Sequence, residues 1–287
     1  MIPPAFDYHA PQTVADAVKL LASLGSDAKL LAGGHSLLPM MKLRFAEPAH
    51  LIDLNRIAAL RGIREEGGTI VIGAMTVEND LIASSLLKAK LALLPEAALQ
   101  IADPQVRNRG TIGGDIAHGD PGNDHPAIML ALDAVFTLEG PKGRRQVAAD
   151  GFFRGTYMTA MAEDEILTEI RIPALAPKTG SAYQKLKRKT GDWATAAAAV
   201  VLRLDGGKVS HARIALTNVA PMALRAKDAE AALLGKPLSE ATVADAVAKA
   251  RAICDPAEDL RGDREYKTAM AGQMLARAIS QAAARCA

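Results

Sequence analysis

The chain has 287 residues, of which 49% are hydrophobic and 23% charged, and its formal net charge is +2. This length allows a sizeable core spread over two or three small domains, and the near balance of charge argues against a strong electrostatic field for nucleic acid or an anionic membrane. The two cysteines, Cys254 and Cys286, are far apart and form no Cys-x-x-Cys pair, so an iron–sulfur cluster or a structural zinc within this chain is not expected.

Aromatic residues make up only 3% of the chain while alanine is abundant, which favours a mixed α/β protein with an aliphatic core over a β-sandwich. The N-terminal segment "MIPPAFDYHAPQ" has no basic stretch followed by an apolar one. No later apolar run reaches the length of about 18 residues that a bilayer span needs. We therefore expect no transmembrane segment and a reducing, cytoplasmic location.

The first predicted element is a helix in "TVADAVKLLASLG" (13–25). Val14, Val18 and Leu21 recur there at helical spacing, with Thr13 as the N-cap and Gly25 at the left-handed stop. Short apolar or β-branched runs bounded by Gly, Pro and Asp then predict five strands. These runs are "KLLAG" (29–33), "HLIDL" (50–54), "TIVIGAM" (69–75), "VFTLEG" (135–140) and "EILTEIRIP" (165–173).

The composition changes at "PALAPKTGS" (173–181), a Pro/Gly/Ser stretch typical of a domain boundary. We predict a first domain over 1–176, with two subdomains that meet near residue 56, and a second domain over 177–287. The second domain contains an Asp-Gly-Gly hairpin signal at 205–207 and turns helical towards its end. Its alanine run is ambiguous, because alanine prefers helix and only the hairpin partner argues for a strand.

In two segments a Gly-Gly pair follows apolar residues and is itself followed by polar residues. They are "LLAGGHSLLPMM" (30–41) and "GTIGGDIAHGDPGND" (110–124). Glycine lets backbone N–H groups approach a ligand closely, and consecutive N–H groups that point into one concavity bind phosphate oxygens. Ser36 and Thr111 add hydroxyl donors beside these groups. A pair of such loops is suited to a pyrophosphate, whereas an isolated Gly-Gly pair is usually only a tight turn.

The known phosphate-loop motifs are absent, since the sequence has neither Gly-x-x-x-x-Gly-Lys-Ser/Thr nor a Gly-x-Gly-x-x-Gly after a strand. A second hypothesis is a metal-dependent hydrolase, because His118, Asp120, Asp124 and His125 are oxygen and imidazole ligands at short spacing. A third is a scaffold subunit without a cofactor. The basic run "KLKRK" (185–189) has no interleaved aromatic residues, so we interpret it as a solvated strand and not as a nucleic-acid patch.

Five ordered segments resemble the flavin-binding subunits of the molybdenum hydroxylases, the family of xanthine dehydrogenase. They are "AGGHSLLPMMKLR", "TIGGDIAHGDPGND", "FFRGTYMTAMAEDEILTEIRIP", "YQKLKRKTGDWATAAAAVV" and "DLRGDREYKTAMAGQMLARA", and together they cover nearly the whole chain. The resemblance implies a two-part α/β FAD-binding domain of the vanillyl-alcohol oxidase type. A C-terminal α/β domain with an antiparallel sheet and helices would follow it.

The resemblance also implies which residues hold FAD. Two loops would line the pyrophosphate, and Asp124 would hold a sugar hydroxyl of the cofactor. The first loop consists of Ala32, Gly33, Gly34, His35, Ser36 and Leu37, and the second of Thr111, Ile112, Gly113, Gly114 and Asp115. The family often has Asn at position 115, and a carboxylate beside a diphosphate is unfavourable unless it is turned away.

Four more positions match family residues around the flavin. Ile101 and Met161 match apolar positions packed on the cofactor, although ordinary core residues would look the same in sequence. Lys185 matches a lysine whose charge stabilises the reduced, anionic flavin. Trp193, the single tryptophan, matches an aromatic side chain over the isoalloxazine, and a core anchor is the competing interpretation.

The function implied by the resemblance is an electron relay. A small partner subunit would carry two [2Fe–2S] clusters and a large one a molybdopterin-bound molybdenum centre, assembled as a dimer of heterotrimers. Electrons would leave FAD for an external acceptor, a quinone or NAD, and such an acceptor could bring the complex to the inner face of the membrane. The sequence itself shows no catalytic acid–base pair, so we expect the substrate to react on a partner chain.

Overall fold

The computed structural model describes residues 2–286, which form three successive sheets and a separate two-stranded hairpin, with helices packed on the sheets. The first sheet is wholly parallel, with the strand order β1-β3-β2. Its elements are β1 (Asp7–His9), α1 (Val14–Leu24), β2 (Ala28–Leu31), α2 (Leu37–Lys42) and β3 (His50–Asp53). Short 3₁₀ turns follow α1 at Gly25–Asp27 and β3 at Leu54–Arg56 and Ala58–Leu60.

Helix α1 confirms the prediction made from its spacing. The Thr13 hydroxyl accepts the N–H of Asp16 at 3.1 Å, and Gly25 ends the helix with φ of +60°. Val18 and Leu21 face the sheet and pack near Ile52, so the apolar stripe of the helix covers one face of the parallel strands.

The second sheet has five antiparallel strands in the order β4-β5-β10-β6-β7. Its strands are β4 (Ile63–Glu66), β5 (Thr69–Gly73), β6 (Val135–Gly140), β7 (Gly143–Ala148) and β10 (Ile166–Pro173), and a small hairpin of β8 (Phe153–Gly155) and β9 (Met158–Thr159) precedes β10. Six short helices connect β5 to β6: α3 (Glu78–Ala83), α4 (Ser85–Lys90), α5 (Leu93–Ala98), α6 (Pro104–Arg107), α7 (Ile112–His118) and α8 (His125–Ala131). All five strands predicted in the first half of the chain are confirmed.

The third sheet is antiparallel, with its strands in sequence order. Its strands are β11 (Thr179–Leu186), β12 (Ala196–Asp205), β13 (Lys208–Thr217) and β14 (Leu224–Arg225), followed by α9 (Lys227–Leu233), α10 (Glu240–Ala252) and α11 (Arg264–Ala284). The hairpin at 205–207 is confirmed, since Asp205 pairs with Lys208.

The alanine run is a strand because both of its faces are buried. Ala197 and Ala199 face the core of the second sheet, while Ala198 and Val200 face the core under α11. Small side chains let helices approach both faces closely, and a Cβ added to Gly180 on the neighbouring strand would overlap the Ala282 carbonyl of α11. Tertiary packing here outweighs the helical preference of alanine.

The architecture confirms the expected mixed α/β fold, with a two-part N-terminal region and a C-terminal antiparallel sheet with helices. The domain limits near residues 56 and 176 stay a prediction. They fall between β3 and β4 and between β10 and β11, where the chain passes from one sheet to the next. Within residues 2–286, no helix is long and apolar enough to cross a membrane.

Candidate functional site

A cavity of about 700 Å³ opens where the parallel sheet, helix α7 and strand β11 meet. The predicted site residues that line it are Ala32, Gly33, Gly34, His35, Ser36, Leu37, Ile101, Thr111, Gly113, Gly114, Asp115, Asp124, Met161, Lys185 and Trp193. Ile112 is the exception, because its side chain is fully buried in the core of the second sheet. The cavity thus brings together segments that lie up to about 160 positions apart in the sequence.

The first Gly-Gly loop, residues 32–37, joins β2 to α2 and supplies free backbone donors. Within residues 2–286, no acceptor takes the N–H groups of the consecutive residues 33–37. The loop is held from behind, since Asn55 Nδ2 donates to the Ala32 carbonyl at 2.9 Å and to Asp53 Oδ1 at 2.6 Å. These amides beside the cavity can therefore bind an anion.

The second Gly-Gly loop differs from the expectation, because its backbone N–H groups already have acceptors. Ile112 donates to the Thr76 carbonyl at 3.1 Å, and Gly113 to the Ala74 carbonyl at 2.9 Å. The Thr111 hydroxyl caps α7 by accepting the N–H of Gly114 at 3.2 Å. This loop therefore offers the cavity its side chains and surface, while the anion-binding amides belong to the first loop.

Two glycines are needed because backbone segments meet at the cavity wall. A Cβ on Gly33 would overlap the Arg109 carbonyl, so the first loop lies directly against the residues before α7. A Cβ on Gly113 would lie 2.6 Å from the Ala74 carbonyl oxygen. The Gly-Gly pattern thus allows the loops to pack on their neighbours as well as to face a ligand.

Asp124 and Lys185 form a buried ion pair at the cavity wall. Lys185 Nζ lies 2.7 Å from Asp124 Oδ2, and the two side chains are 1% and 6% exposed. The Tyr183 hydroxyl donates to the other Asp124 oxygen at 2.5 Å, and burial, followed by the charge of Asp124, raises the pKa of Tyr183. The interpretation of 185–189 as a solvated strand is therefore wrong for Lys185, and Lys187 likewise donates to the Gln100 carbonyl at 3.1 Å.

A second buried ion pair lies beside it. His125 Nε2 is 2.9 Å from Glu78 Oε2, and the side chains are 0% and 3% exposed. Burial by itself lowers the pKa of His125, but the charge and hydrogen bonds of Glu78 outweigh that effect and raise it to about 9. Glu78 also lines the cavity, and nothing in its sequence context, "TVEND", marked it as a site residue.

Trp193 lies at the cavity and is 52% exposed, so it is no core anchor. The Arg261 guanidinium sits 5.5 Å from the centroid of the Trp193 ring, within cation–π range. Arg261 is fixed by Asp192, whose Oδ1 lies 2.9 Å from Nη2. Although burial opposes it, hydrogen bonding to Arg188 and Arg261 lowers the pKa of Asp192 to about 2. The C-terminal region thus holds the tryptophan at the cavity.

Tyr157 is a second lining residue that sequence reasoning missed. It adopts φ of +58°, which is unusual for a bulky side chain, and its ring centroid lies 4.9 Å from that of His118. Its N–H donates to the Gly119 carbonyl at 2.9 Å. No local sequence pattern signals this conformation.

The four residues of the metal hypothesis point to different partners. His125 bonds to Glu78, Asp124 pairs with Lys185, and Asp120 accepts the N–H of Gly122 at 2.8 Å. Burial lowers the pKa of His118, whose ring packs on Tyr157. Across residues 2–286, no three His, Cys, Asp or Glu side chains are grouped to hold a metal ion.

Comparisons with known proteins agree with this geometry. Residues 4–175 match the family described as "FAD binding domain in molybdopterin dehydrogenase", and residues 181–282 match the "CO dehydrogenase flavoprotein C-terminal domain". These matches confirm the resemblance to the flavin-binding subunits of the molybdenum hydroxylases.

Individual relatives extend over the whole chain. The carbon monoxide dehydrogenase medium chain of Hydrogenophaga pseudoflava is 69% identical over 287 residues, which is 100% of both chains. That of Afipia carboxidovorans is 56% identical and covers 99% of each. A solved structure of the Hydrogenophaga pseudoflava enzyme, in a form that lacks the Mo-pyranopterin moiety, superposes with a TM-score of 0.99 over 100% of both chains, at 72% identity.

Proposed function

This chain belongs to the FAD-binding subunits of the molybdenum hydroxylases and is an oxidoreductase subunit. From that premise we propose that it is the electron-relay flavoprotein of a carbon monoxide dehydrogenase. The observation that carries the proposal is the cavity, which is lined by a row of free backbone N–H groups and by residues of two buried ion pairs.

The cavity fits a dinucleotide. Its volume of about 700 Å³ lies within the range of about 300–1,000 Å³ usual for cofactor sites. The free N–H groups of residues 33–37 suit a diphosphate, which needs several donors and no bulky side chain in front of them. A buried polar atom without a partner also suits a site that a ligand completes. Asp115, which lines the cavity, has such an atom, since its Oδ2 is buried and has no hydrogen-bond partner within residues 2–286.

In this proposal the lining residues contact different parts of FAD. The first loop holds the diphosphate, and Asp124 accepts a sugar hydroxyl while it keeps its bond to Lys185, since a carboxylate has several acceptor sites. Ile101 and Met161 exclude water from the apolar part of the cavity, and Trp193 presents its ring there. Lys185 places a buried positive charge where a reduced flavin needs one.

Bound FAD would supply a two-electron carrier between the iron–sulfur clusters of a small partner chain and an external acceptor, a quinone or NAD. We propose that carbon monoxide reacts on a large partner chain that holds molybdopterin-bound molybdenum, and that the assembly is a dimer of heterotrimers. The support is that the relatives matched over the whole chain are medium chains of carbon monoxide dehydrogenase. We further place the complex in the cytoplasm, at the inner face of the membrane when its acceptor lies there.

An absorbance spectrum of the purified protein, with chromatography of the released cofactor, tests the binding step. Flavin bands and one FAD per chain are expected. Bound metal without flavin would instead favour the hydrolase hypothesis, and neither would favour the scaffold hypothesis.

Anaerobic mixing with carbon monoxide tests the relay step. The FAD-loaded chain should be reduced by dithionite but not by carbon monoxide, and addition of the small and large partner chains should restore substrate-driven bleaching of the flavin. Rapid flavin reduction by carbon monoxide before any partner is added would show that this chain carries its own catalytic site.

A further inference from the structure

Asp115 lies in the first turn of α7 and faces the cavity with an unusual carboxyl group. Its Oδ2 atom is buried, and no donor among residues 2–286 reaches it. Its backbone is firmly held, since its own N–H donates to the Thr111 carbonyl at 3.0 Å and its carbonyl accepts Asn123 Nδ2 at 3.1 Å. The Asp115 backbone is therefore fixed, while its Oδ2 atom has no hydrogen-bond partner within the described chain.

The charges around Asp115 leave no cation for it. Glu78 and His125 face it from α3 and α8 and pair with each other, and Asp124 is paired with Lys185. Asp120 in the loop after α7 and Tyr183 on β11 are further ionisable neighbours, and neither can neutralise a carboxylate. His118 follows one turn later on α7, and burial lowers its pKa, which favours the neutral imidazole. Asp115 is thus an extra acid among groups whose charges already cancel.

Burial is the main reason why the pKa of Asp115 rises to about 7. His125 opposes the shift, while Glu78, Asp124 and Asp120 add to it. At and below neutral pH, a large share of the protein therefore carries Asp115 as a neutral acid with a proton to donate.

Asp115 is one of the residues that line the cavity, so a ligand bound there can supply the acceptor that the described chain lacks. The wall opposite α7 is the first loop, because a Cβ on Gly114 would lie 3.4 Å from the Ala32 Cβ. A ligand group held by the free amides of residues 33–37 thus lies beside the turn that carries Asp115. A diphosphate has only acceptor oxygens, so a neutral acid can bond to it and a carboxylate would repel it.

We propose that Asp115 binds FAD as a neutral carboxylic acid that donates its proton to a phosphate oxygen of the cofactor. This inference rests on the proposed function, since it assigns the protonation state of one group in that site. It makes FAD binding a proton-linked event: apoprotein with an ionised Asp115 must take up one proton when the cofactor binds. FAD affinity then falls as the pH rises through the range in which free Asp115 ionises.

The test measures the dissociation constant of FAD between about pH 6 and about pH 8, on protein stripped of cofactor in the assembly in which it purifies. For the wild type, the constant should rise by up to about tenfold for each pH unit above 7. Asp115→Asn keeps an N–H donor that does not titrate, so its affinity should be independent of pH and exceed that of the wild type at pH 8. Asp80→Asn, an exposed carboxylate on α3, is the matched control and should behave as the wild type.

Two further readouts separate proton uptake from a merely structural effect. Calorimetry in two buffers of different ionisation enthalpy should report uptake of up to one proton at pH 8 for the wild type and none for Asp115→Asn. Infrared spectra of the FAD-loaded protein should contain the C=O band of a protonated carboxyl that Asp115→Asn lacks. Riboflavin, which has no phosphate, should bind without this pH dependence.

FAD affinity that does not vary with pH in the wild type, or proton uptake that persists in Asp115→Asn, would overturn this inference while leaving the FAD site intact. Absence of FAD binding by the wild type at every pH would instead refute the proposed function.

Discussion

The ammonium nitrogen of Lys185 lies 2.7 Å from Asp124 Oδ2, and the pair is closed to solvent at the wall of the cavity. Because the two charges cancel, the field that Lys185 exerts on a flavin depends on its partner. Removal of either residue alone changes the net charge at the site, while removal of both restores the balance.

We predict that Lys185→Met makes the flavin harder to reduce and that Asp124→Asn makes it easier. If the lost charge changes the free energy of flavin reduction by about 1.4 kcal/mol, the midpoint potential of this two-electron couple shifts by about 30 mV. The unpaired carboxylate left by Lys185→Met lowers the potential further. Spectroelectrochemical titration measures the midpoint potential, and the double variant should return close to the wild-type value. Since breaking a buried pair can cost about 3–5 kcal/mol, thermal unfolding must first show that each variant is folded. Unchanged potentials in both folded single variants would remove Lys185 from the flavin site.

The two glycines at the start of α7 should respond differently to alanine. Gly113→Ala forces a methyl group against the Ala74 backbone, so we expect a loss of about 1–3 kcal/mol in the free energy of unfolding. In Gly114→Ala, the new methyl meets mainly the Thr111 hydroxyl at 2.8 Å and the Ala32 Cβ at 3.4 Å, which lie at the cavity.

Gly114→Ala should therefore weaken FAD binding at least tenfold while it costs only about 1 kcal/mol of stability, the value of one helix cap. Chemical denaturation and an FAD binding titration, run on both variants, measure the two effects. Equal losses of stability would contradict the assignment of Gly113 to packing and Gly114 to the cavity wall.

Trp193 is the single tryptophan of the chain and lines the cavity, so its fluorescence should report on FAD binding. We expect saturating FAD to quench most of the tryptophan emission, because the flavin absorbs where tryptophan emits and the two would be close. Arg261→Met removes the guanidinium from the ring and should shift the emission of the cofactor-free protein. Emission that is unaffected by bound FAD would place the flavin far from this residue.

Stability should fall as the pH rises from 7 to 9, because His125 is protonated in the folded protein. Its pKa of about 9 lies above the ordinary value of 6.5, so the contribution of the Glu78 pair is fully present below pH 6.5 and is lost as the pH rises through 9. The expected loss is about 2–3 kcal/mol over that window.

The variant Glu78→Gln should be less stable than the wild type at pH 7 and nearly independent of pH above it. The raised pKa of Asp115 also reduces stability with rising pH, but it does so between about 4 and 7, below the window used here. Urea unfolding of the cofactor-free protein at several pH values measures both curves, and parallel curves for wild type and variant would argue against a charged His125.

Much of the local structure could be predicted from the sequence. The spacing of Val14, Val18 and Leu21 behind Thr13 determines α1, and short apolar or β-branched runs bounded by Gly, Pro and Asp determine five strands, because these signals act between neighbouring residues. The two Gly-Gly loops also predicted a ligand site, and both loops line the cavity.

Other features were decided only by contacts between distant segments. The alanine run of β12 is a strand because helices press on both of its faces, and the free amides belong to one loop because the Ala74 and Thr76 carbonyls occupy those of the other. Lys185 is buried because Asp124 pairs with it across the fold, and Asp115 Oδ2 has no hydrogen-bond partner among residues 2–286 because no donor is brought to it. Periodicity and propensity describe a residue's neighbours along the chain, whereas burial, pairing and pKa depend on which segments the folded chain brings together.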